Sequence, residues 1–318
     1  MEPLLRIEDL SVNYQTRRGQ VGALDGIQLI VQEGETLGVV CETGCGKSTL
    51  GKAILGILPA RTKVGGKIMF RGRDLTQLSN QMYRRLRGEE IALIFQDPMT
   101  RLNPLMRIQD HFLEEIHAHE SVSSTEARTR AREALMSMGI HETRIRNYPH
   151  EFSGGMRQRI MIALALVLKP SLLIADEPTT SLDVIVEAQI LEILQDLKEV
   201  YHMSLLLITH NLGIVAEVCD RVAVLYAGKL VELGSVRDIF HKPLHPYTQG
   251  LLSSVIHLET KELHSIDGSP PDLIAPPSGC RFHPRCAYAQ PICTKKIPPL
   301  VEFEPGHFAA CHFGDKFL

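Results

Sequence analysis

Cys41-Glu42-Thr43-Gly44-Cys45-Gly46-Lys47-Ser48-Thr49 lies between an apolar run, Thr36-Leu37-Gly38-Val39-Val40, and Leu50-Gly51-Lys52-Ala53-Ile54-Leu55. The first flank is short enough for a buried strand, and the second suits a helix. A strand, a glycine-bearing loop and a helix, in that order, turn backbone N–H groups inward with the positive end of a helix dipole behind them, which holds polyphosphate. Gly44, Cys45, Gly46 and Thr49 would form the cradle, Lys47 would reach the β- and γ-phosphates, and the Ser48 hydroxyl would sit on Mg²⁺. The pattern G-x-x-x-x-G-K-[ST] is met at Gly46, Lys47 and Ser48, whereas Cys41 replaces its first glycine. A side chain there is expected to crowd the phosphates or strain a backbone suited to glycine, weakening nucleotide binding without abolishing it. The plainer alternative is an ordinary strand-to-helix turn.

Working outward, 318 residues with 44% apolar composition can build one large or two smaller domains. The formal charge of -3 shows no basic excess, which argues against nucleic acid as a partner. The longest uninterrupted apolar run, Ile160 to Leu168, is about half of the ~20 residues that a membrane span needs. Met1-Glu2-Pro3-Leu4-Leu5-Arg6 has no basic start, apolar core or cleavage site, so an intracellular chain is expected. Seven cysteines, four of them in the last forty residues, suggest a ligand cluster rather than a disulfide framework.

Before the loop, Leu4 to Leu29 reads as strands of a small antiparallel sheet, turning at Thr16-Arg17-Arg18-Gly19. Tyr14 could stack on adenine, although a half-buried strand tyrosine is the commoner explanation. After the loop, Gly65 to Phe70 and Ile91 to Phe95 read as strands, the second ending at Gln96-Asp97-Pro98. Arg101 to Tyr148 is charged and helix-favouring, and reads as a helical insertion. Ser153-Gly154-Gly155 then opens an apolar helix, either as a second anion-binding start or as a plain serine cap. Ser171 to Ala175 is an apolar strand that delivers Asp176 and Glu177, placed so that the first acid helps hold Mg²⁺ and the second orients or deprotonates a water. Ser181-Leu182-Asp183 forms a turn, and Ile185 to Tyr201 is amphipathic with Ile190, Leu191, Leu194 and Leu197 on one face. Met203 to Thr209 is another buried strand, ending at His210, and Arg221–Tyr226 with Gly228–Glu232 reads as a hairpin-like pair turning at Ala227-Gly228.

Beyond Gly234 the composition changes to a histidine- and proline-rich tail, read as a separate module. Cys280, Cys286, Cys293 and Cys311 are separated by five, six and seventeen residues. Four thiolates can hold a tetrahedral zinc or a cubane cluster. Zinc knuckles commonly pair ligands two to four residues apart, and no such pair is present, so the tail is expected to wrap something larger than one ion.

These motifs, in this order, resemble the ATP-binding subunit of an ABC transporter. Gln96-Asp97-Pro98-Met99-Thr100-Arg101-Leu102-Asn103-Pro104, His245-Pro246-Tyr247-Thr248, Gly268-Ser269-Pro270-Pro271-Asp272-Leu273 and Cys280-Arg281-Phe282-His283-Pro284-Arg285-Cys286 are similar to the dipeptide/oligopeptide importer branch, in its "D"-type subunit. The resemblance implies an α/β fold: a RecA-like P-loop core, an antiparallel β subdomain, a helical signature subdomain at about 97–157, and a Cys/Pro-rich C-terminal module. The division would fall between residues 1–235 and 236–318.

By the same resemblance, Tyr14 stacks on adenine, Lys47 and Ser48 bind phosphate and Mg²⁺, and Gln96 senses the γ-phosphate and metal. Asp176 supports Mg²⁺, Glu177 is the catalytic base and His210 contacts the γ-phosphate. Ser153, Gly154 and Gly155 reach the nucleotide held by a partner, with Asp183 in the adjoining turn. Phe152 and Met156 depart from the common leucine and glutamine flanking that signature. The four tail cysteines would carry a [4Fe-4S] cluster, zinc being the alternative. The implied function is ATP hydrolysis at the cytoplasmic face of the membrane, powering di-/oligopeptide uptake with a second ATPase subunit as heterodimer, two membrane permease subunits and an extracytoplasmic binding protein. Nickel, opines or sugars are alternative cargoes, and a weakly hydrolysing scaffold or a soluble ABC ATPase acting on ribosomes or DNA are alternative roles.

Overall fold

In the computed structural model, residues 2–95, 101–179, 183–254 and 266–318 are described. The chain divides into two compact units, Met1–Gln77 with Leu207–Leu318, and Leu78–Leu206.

The first unit opens with β1 (Leu5–Thr16) and β2 (Gly19–Val31), an antiparallel pair. The Thr16 hydroxyl closes their turn by donating to the Gly19 carbonyl at 2.7 Å. β3 (Thr36–Val40) follows, then α1 (Lys47–Ile54), β4 (Lys63–Phe70) and β5 (Arg73–Asp74). The small sheet runs β2-β1-β4-β5. One face of β1 buries Leu5, Ile7, Leu10 and Val12 while other positions face outward, the half-buried pattern of an antiparallel sheet. All five residues of β3 are buried, the pattern of a strand covered on both faces.

The second unit contains α2 (Asn80–Glu89), β6 (Ile91–Ile94), α3 (Ile108–His119), α4 (Ser124–Ser137), α5 (Gly154–Leu166), β7 (Leu172–Asp176) and α6 (Val184–Tyr201). α3 and α4 fall within Arg101 to Tyr148, the stretch whose composition favours helix. Ile108, Phe112 and Ile116 on one helix, and Ala127, Ala131 and Leu135 on the other, give each a buried stripe at four-residue spacing. Small alanines let the two helices approach, and Arg130 forms a bidentate pair with Glu120 at 2.5 and 2.9 Å. β6 and β7 are parallel, with Ile94 opposite Ala175. α6 buries the four residues expected from its periodicity.

β8 (Ser204–Thr209) contributes its first three residues to the second unit and its last three to the first. The strand order is β6-β7-β8 in the second unit and β8-β3-β9-β10-β12-β11 in the first. There, α7 (Leu212–Val218) precedes β9 (Arg221–Tyr226) and β10 (Lys229–Ser235), joined by Ala227 at φ 48 and Gly228 at φ 79. Two left-handed residues in succession suit the right-handed twist of a tight hairpin. β9 runs parallel to β3, with Leu37 opposite Arg221 and Val40 opposite Val224.

The tail supplies α8 (Val236–His241), α9 (Pro246–Ser253), α10 (Pro291–Lys295), β11 (Val301–Glu304) and β12 (His307–Ala309). β12 pairs with β10, so the tail adds two strands to the edge of the main sheet. Beneath this seam the Glu232 carboxylate is fully buried and accepts from Leu244 N at 2.7 Å, His245 N at 3.0 Å and His307 Nε2 at 2.8 Å. A buried carboxylate persists only when so surrounded by donors. Among the described residues, no helix is long and apolar enough to cross a membrane.

Candidate nucleotide-binding site

In the first unit, α1 starts at Lys47 from an N-cap, Gly46, at φ 110 with no side-chain cap and no acid in the first turn. Gly44 is also left-handed, at φ 86. A Cβ on Gly46 would collide with the Ala23 carbonyl, whereas one on Gly44 would meet open space. Gly46 is thus required by packing as well as by φ, and Gly44 by φ alone. The loop between them is a backbone cradle of the kind that fits polyphosphate.

Cys41 is not among the left-handed residues, so the backbone strain expected of a side chain at this position is not present. Its sulfur is disulfide-bonded to Cys45, with the two Cα atoms 6.4 Å apart, and the two residues are 3% and 6% exposed. This pairing is not expected from the sequence, where Cys41 reads only as a replaced glycine; the four tail cysteines are free thiols. The Lys47 ammonium is buried and donates to the Cys41 carbonyl at 2.6 Å, so it spans the loop. Tyr14 is brought against α1, its hydroxyl donating to Thr49 Oγ1 at 3.1 Å. His210 is exposed immediately after β8, the neighbour of β3.

In the second unit, Asp176 ends β7 and is 7% exposed. Glu177 follows at φ 49, a left-handed conformation costing a non-glycine residue about 1–2 kcal/mol. The turn after it is held by Gln158 of α5, a 2% exposed side chain whose amide donates to the Pro178 carbonyl at 2.5 Å. Sequence inspection missed Gln158, since nothing in its spacing announces a partner twenty residues away. The Ser153 hydroxyl caps α5, accepting from Met156 N at 3.4 Å, and Asp183 caps α6, accepting from Val186 N at 3.0 Å. Gly154 has open space where a Cβ would stand, and Gly155 follows it in the first turn of α5. Gln96, Ser181 and Leu182 lie outside the described residues.

Cys280, Cys286, Cys293 and Cys311 line one cavity of about 20 Å³ together with Phe282 and Phe313. Burial in these apolar surroundings raises the Cys280 and Cys286 thiols above their usual range and pushes Cys311 up to about 11. Cys280 N donates to the Cys293 carbonyl at 2.8 Å, tying two of the four together. The donor chemistry fits a thiolate-bound metal centre, but the ligands are not preassembled: among the described residues, no three or more His, Cys, Asp or Glu side chains are grouped to hold a metal ion.

The family described as "ABC transporter" matches residues 24–180, and that described as "Oligopeptide/dipeptide transporter, C-terminal region" matches residues 231–293. The oligopeptide transport ATP-binding protein OppD of Escherichia coli (strain K12) is 46% identical over 314 residues, covering 98% of this chain and 93% of that protein. The chain belongs to the ATP-binding subunits of ABC transporters, on the oligopeptide/dipeptide branch. The dipeptide transport ATP-binding protein DppD of Bacillus subtilis (strain 168) is 45% identical over 322 residues, 99% of this chain and 96% of that protein. Among solved structures, cbiO1 from Clostridium perfringens, part of the ABC transporter complex cbiONQ, aligns with a TM-score of 0.66 and 30% identity, over 77% of this chain and 93% of that one. The ATP-binding cassette MJ0796, in a dimeric post-hydrolysis state bound to ADP and Pi, aligns with a TM-score of 0.66 and 25% identity, over 73% of this chain and 99% of that one. Membership makes this ABC subunit an ATPase with a mixed α/β cassette fold, for which ATP and Mg²⁺ are the expected ligands.

Proposed function

We propose that this ABC subunit powers uptake of di-/oligopeptides, its ATP-driven closure being transmitted to two membrane permease subunits that receive peptide from a binding protein. The observation that carries the reading is the likeness to peptide-transport ATP-binding proteins along nearly the whole chain, tail included. In this reading residues 1–235 are the nucleotide-binding domain, with a helical part at about 97–157, and residues 236–318 form the Cys/Pro-rich C-terminal module. The subunit would sit peripherally on the cytoplasmic face of the membrane. A second ATPase subunit completes a heterodimer, in which Ser153, Gly154, Gly155 and Asp183 face the nucleotide on the partner's loop; the dimeric state of the MJ0796 cassette supports pairing of this kind.

Each side chain then has a role that its chemistry permits. Lys47 neutralises charge on the β- and γ-phosphates, the loop amides hold their oxygens, and Tyr14 offers a ring to the adenine. Ser48, Asp176 and Gln96 would hold Mg²⁺, which would supply positive charge to offset that of the phosphates. Glu177 takes the proton of the attacking water, and His210 donates to the γ-phosphate. The strained Glu177 backbone, pinned through Gln158, supports a fixed base rather than a mobile one.

For the tail we propose a [4Fe-4S] cluster on Cys280, Cys286, Cys293 and Cys311, supported by their convergence on a single apolar cavity and by the absence of knuckle spacing. Anaerobically purified protein should be brown and contain about four iron and four sulfide per chain. Stoichiometric zinc in colourless protein would replace the cluster with a zinc site. The transport reading is tested by reconstituting the ATPase pair with permease and binding protein in vesicles and following ATP-dependent peptide accumulation. Glu177→Gln should slow turnover about 100-fold or more, and uptake of nickel or a sugar in place of peptides would reassign the cargo.

A further inference from the structure

Arg285 lies in the tail segment Cys280-Arg281-Phe282-His283-Pro284-Arg285-Cys286, and its side chain is 5% exposed. It reaches back to the second residue of the nucleotide loop, from which it is separated by 243 positions. Nη1 donates to Glu42 Oε2 at 2.7 Å and Nη2 to Glu42 Oε1 at 3.1 Å, a two-pronged pair. The remaining guanidinium hydrogens go to the Tyr226 hydroxyl at 3.4 Å, the Ile266 carbonyl at 3.2 Å and the Asp267 carbonyl at 2.8 Å. All five N–H donors of the fork therefore have acceptors, which fixes its orientation. Glu42 is held a second time through its backbone, whose N–H donates to the Tyr247 hydroxyl at 2.9 Å.

Arg281 of the same segment grips the other flank. It donates to the Ala227 carbonyl, and to Asp25 Oδ2 at 2.5 Å. The next residue in that hairpin turn, Gly228, donates its N–H to the Cys45 carbonyl at 2.9 Å. Between the two arginines, Phe282 packs edge-on against Tyr226 at 5.1 Å and lies 5.4 Å from Tyr247, while also lining the cysteine cavity.

We infer that Arg285, with Arg281 in support, is a positioning residue for the nucleotide loop: the tail clamps Glu42 and Cys45 from both sides and so sets ATP affinity. This rests on reading Cys41–Thr49 as the ATP loop. Neither arginine is assigned to phosphate, because the fork of Arg285 is already filled by protein acceptors and Arg281 is spent on Ala227 and Asp25. Glu42, a carboxylate beside a loop meant for anions, repels phosphate unless a cation neutralises it. Arg285 supplies that cation and holds the carboxylate in place.

The test is calorimetric titration of MgATP into the full-length chain, with KM and kcat measured on the assembled complex, for Arg285→Ala, Arg285→Lys, Glu42→Gln and the Arg285→Ala/Glu42→Gln pair. Arg285→Ala should weaken MgATP binding about tenfold, and Arg285→Lys, which keeps the charge but loses the fork, by less. Glu42→Gln removes the repulsion together with the pair, so adding it to Arg285→Ala should return much of the loss; that coupling is the signature of action through Glu42. KM for ATP should rise while kcat stays within about twofold. If Arg285→Ala does not fold, Arg285→Lys and its combination with Glu42→Gln give the same reading. Unchanged affinity in the arginine variants, or a loss that Glu42→Gln does not relieve, overturns the inference. Wild-type chain that binds no MgATP would instead overturn the reading of the loop.

Discussion

Helix α1 starts from a left-handed glycine with neither a side-chain cap nor an acid in its first turn, whereas α5 starts from Ser153, whose hydroxyl accepts from Met156 N. The first helix relies on backbone alone at the position where most helices carry an oxygen-bearing side chain. An anion there supplies an acceptor that the sequence withholds, and Lys47 adds a full charge at the same end. The second helix brings its own acceptor, and the cation of its opening turn, Arg157, is turned back onto the Phe152 carbonyl at 2.9 Å. Two glycine-bearing helix starts in one chain are therefore built differently: one leaves its backbone donors for an anion, the other satisfies one of its own with the Ser153 side chain.

The contrast breaks first at Lys47. Lys47→Ala should weaken MgATP binding by the isolated chain about 100-fold, the worth of charge-assisted bonds to phosphate, whereas Ser153→Ala should leave that titration within about twofold. Equal losses in the two variants would erase the difference. Next in size is Gly46→Ala, which forces a side chain into left-handed backbone and against the Ala23 carbonyl. It should lower unfolding free energy by about 3 kcal/mol, read by denaturant titration. Ser153→Ala should cost about 1 kcal/mol in the same measurement, the ordinary value of a lost cap.

A third helix start extends the comparison to pH. His245 caps α9 through Nδ1, which accepts from Tyr247 N at 3.1 Å, and its burial pushes its pKa down to about 3. The folded chain keeps this ring neutral while the unfolded chain protonates it below the usual 6.5, so its contribution is complete above that pH and is lost on acidification towards 3. Stability should fall by up to about 1.4 kcal/mol per pH unit through that window. His245→Asn, which retains an acceptor but cannot titrate, should flatten the slope; an unchanged slope would assign the acid sensitivity to the carboxylates.

Sequence made the buried strands plain, because β3, β7 and β8 are covered on both faces and so read as unbroken apolar runs. α6 was equally legible from Ile190, Leu191, Leu194 and Leu197. α2 was not, since only Tyr83 and Leu86 of its ten residues are buried and its polar surface resembles a loop. β11 and β12 were hidden by their shortness, and β11 also by an edge position that leaves Val301 and Glu302 exposed. Lys47, Ser48, Asp176 and Glu177 could be picked out as candidates from local chemistry alone, each explicable by its neighbours in the chain. Gln158, Glu42 and Arg285 could not, because what defines them is a distant partner. Cys41 reads in sequence as a replaced glycine, and its pairing with Cys45 depends on a loop conformation that spacing alone does not give.

The reach from Glu42 to Arg285 also has a temporal side. On the ribosome Glu42 emerges 243 residues ahead of the arginine that holds it, an interval of about 12–50 s at 5–20 residues per second. β3 waits for β9 as well, since Leu37 pairs with Arg221. A nascent chain that stops short of Arg285 has its loop sequence but not the clamp around it. Chains released early by truncation or stalled translation would therefore compete poorly for ATP, so that occupancy of the loop doubles as a check that synthesis reached the C-terminal segment.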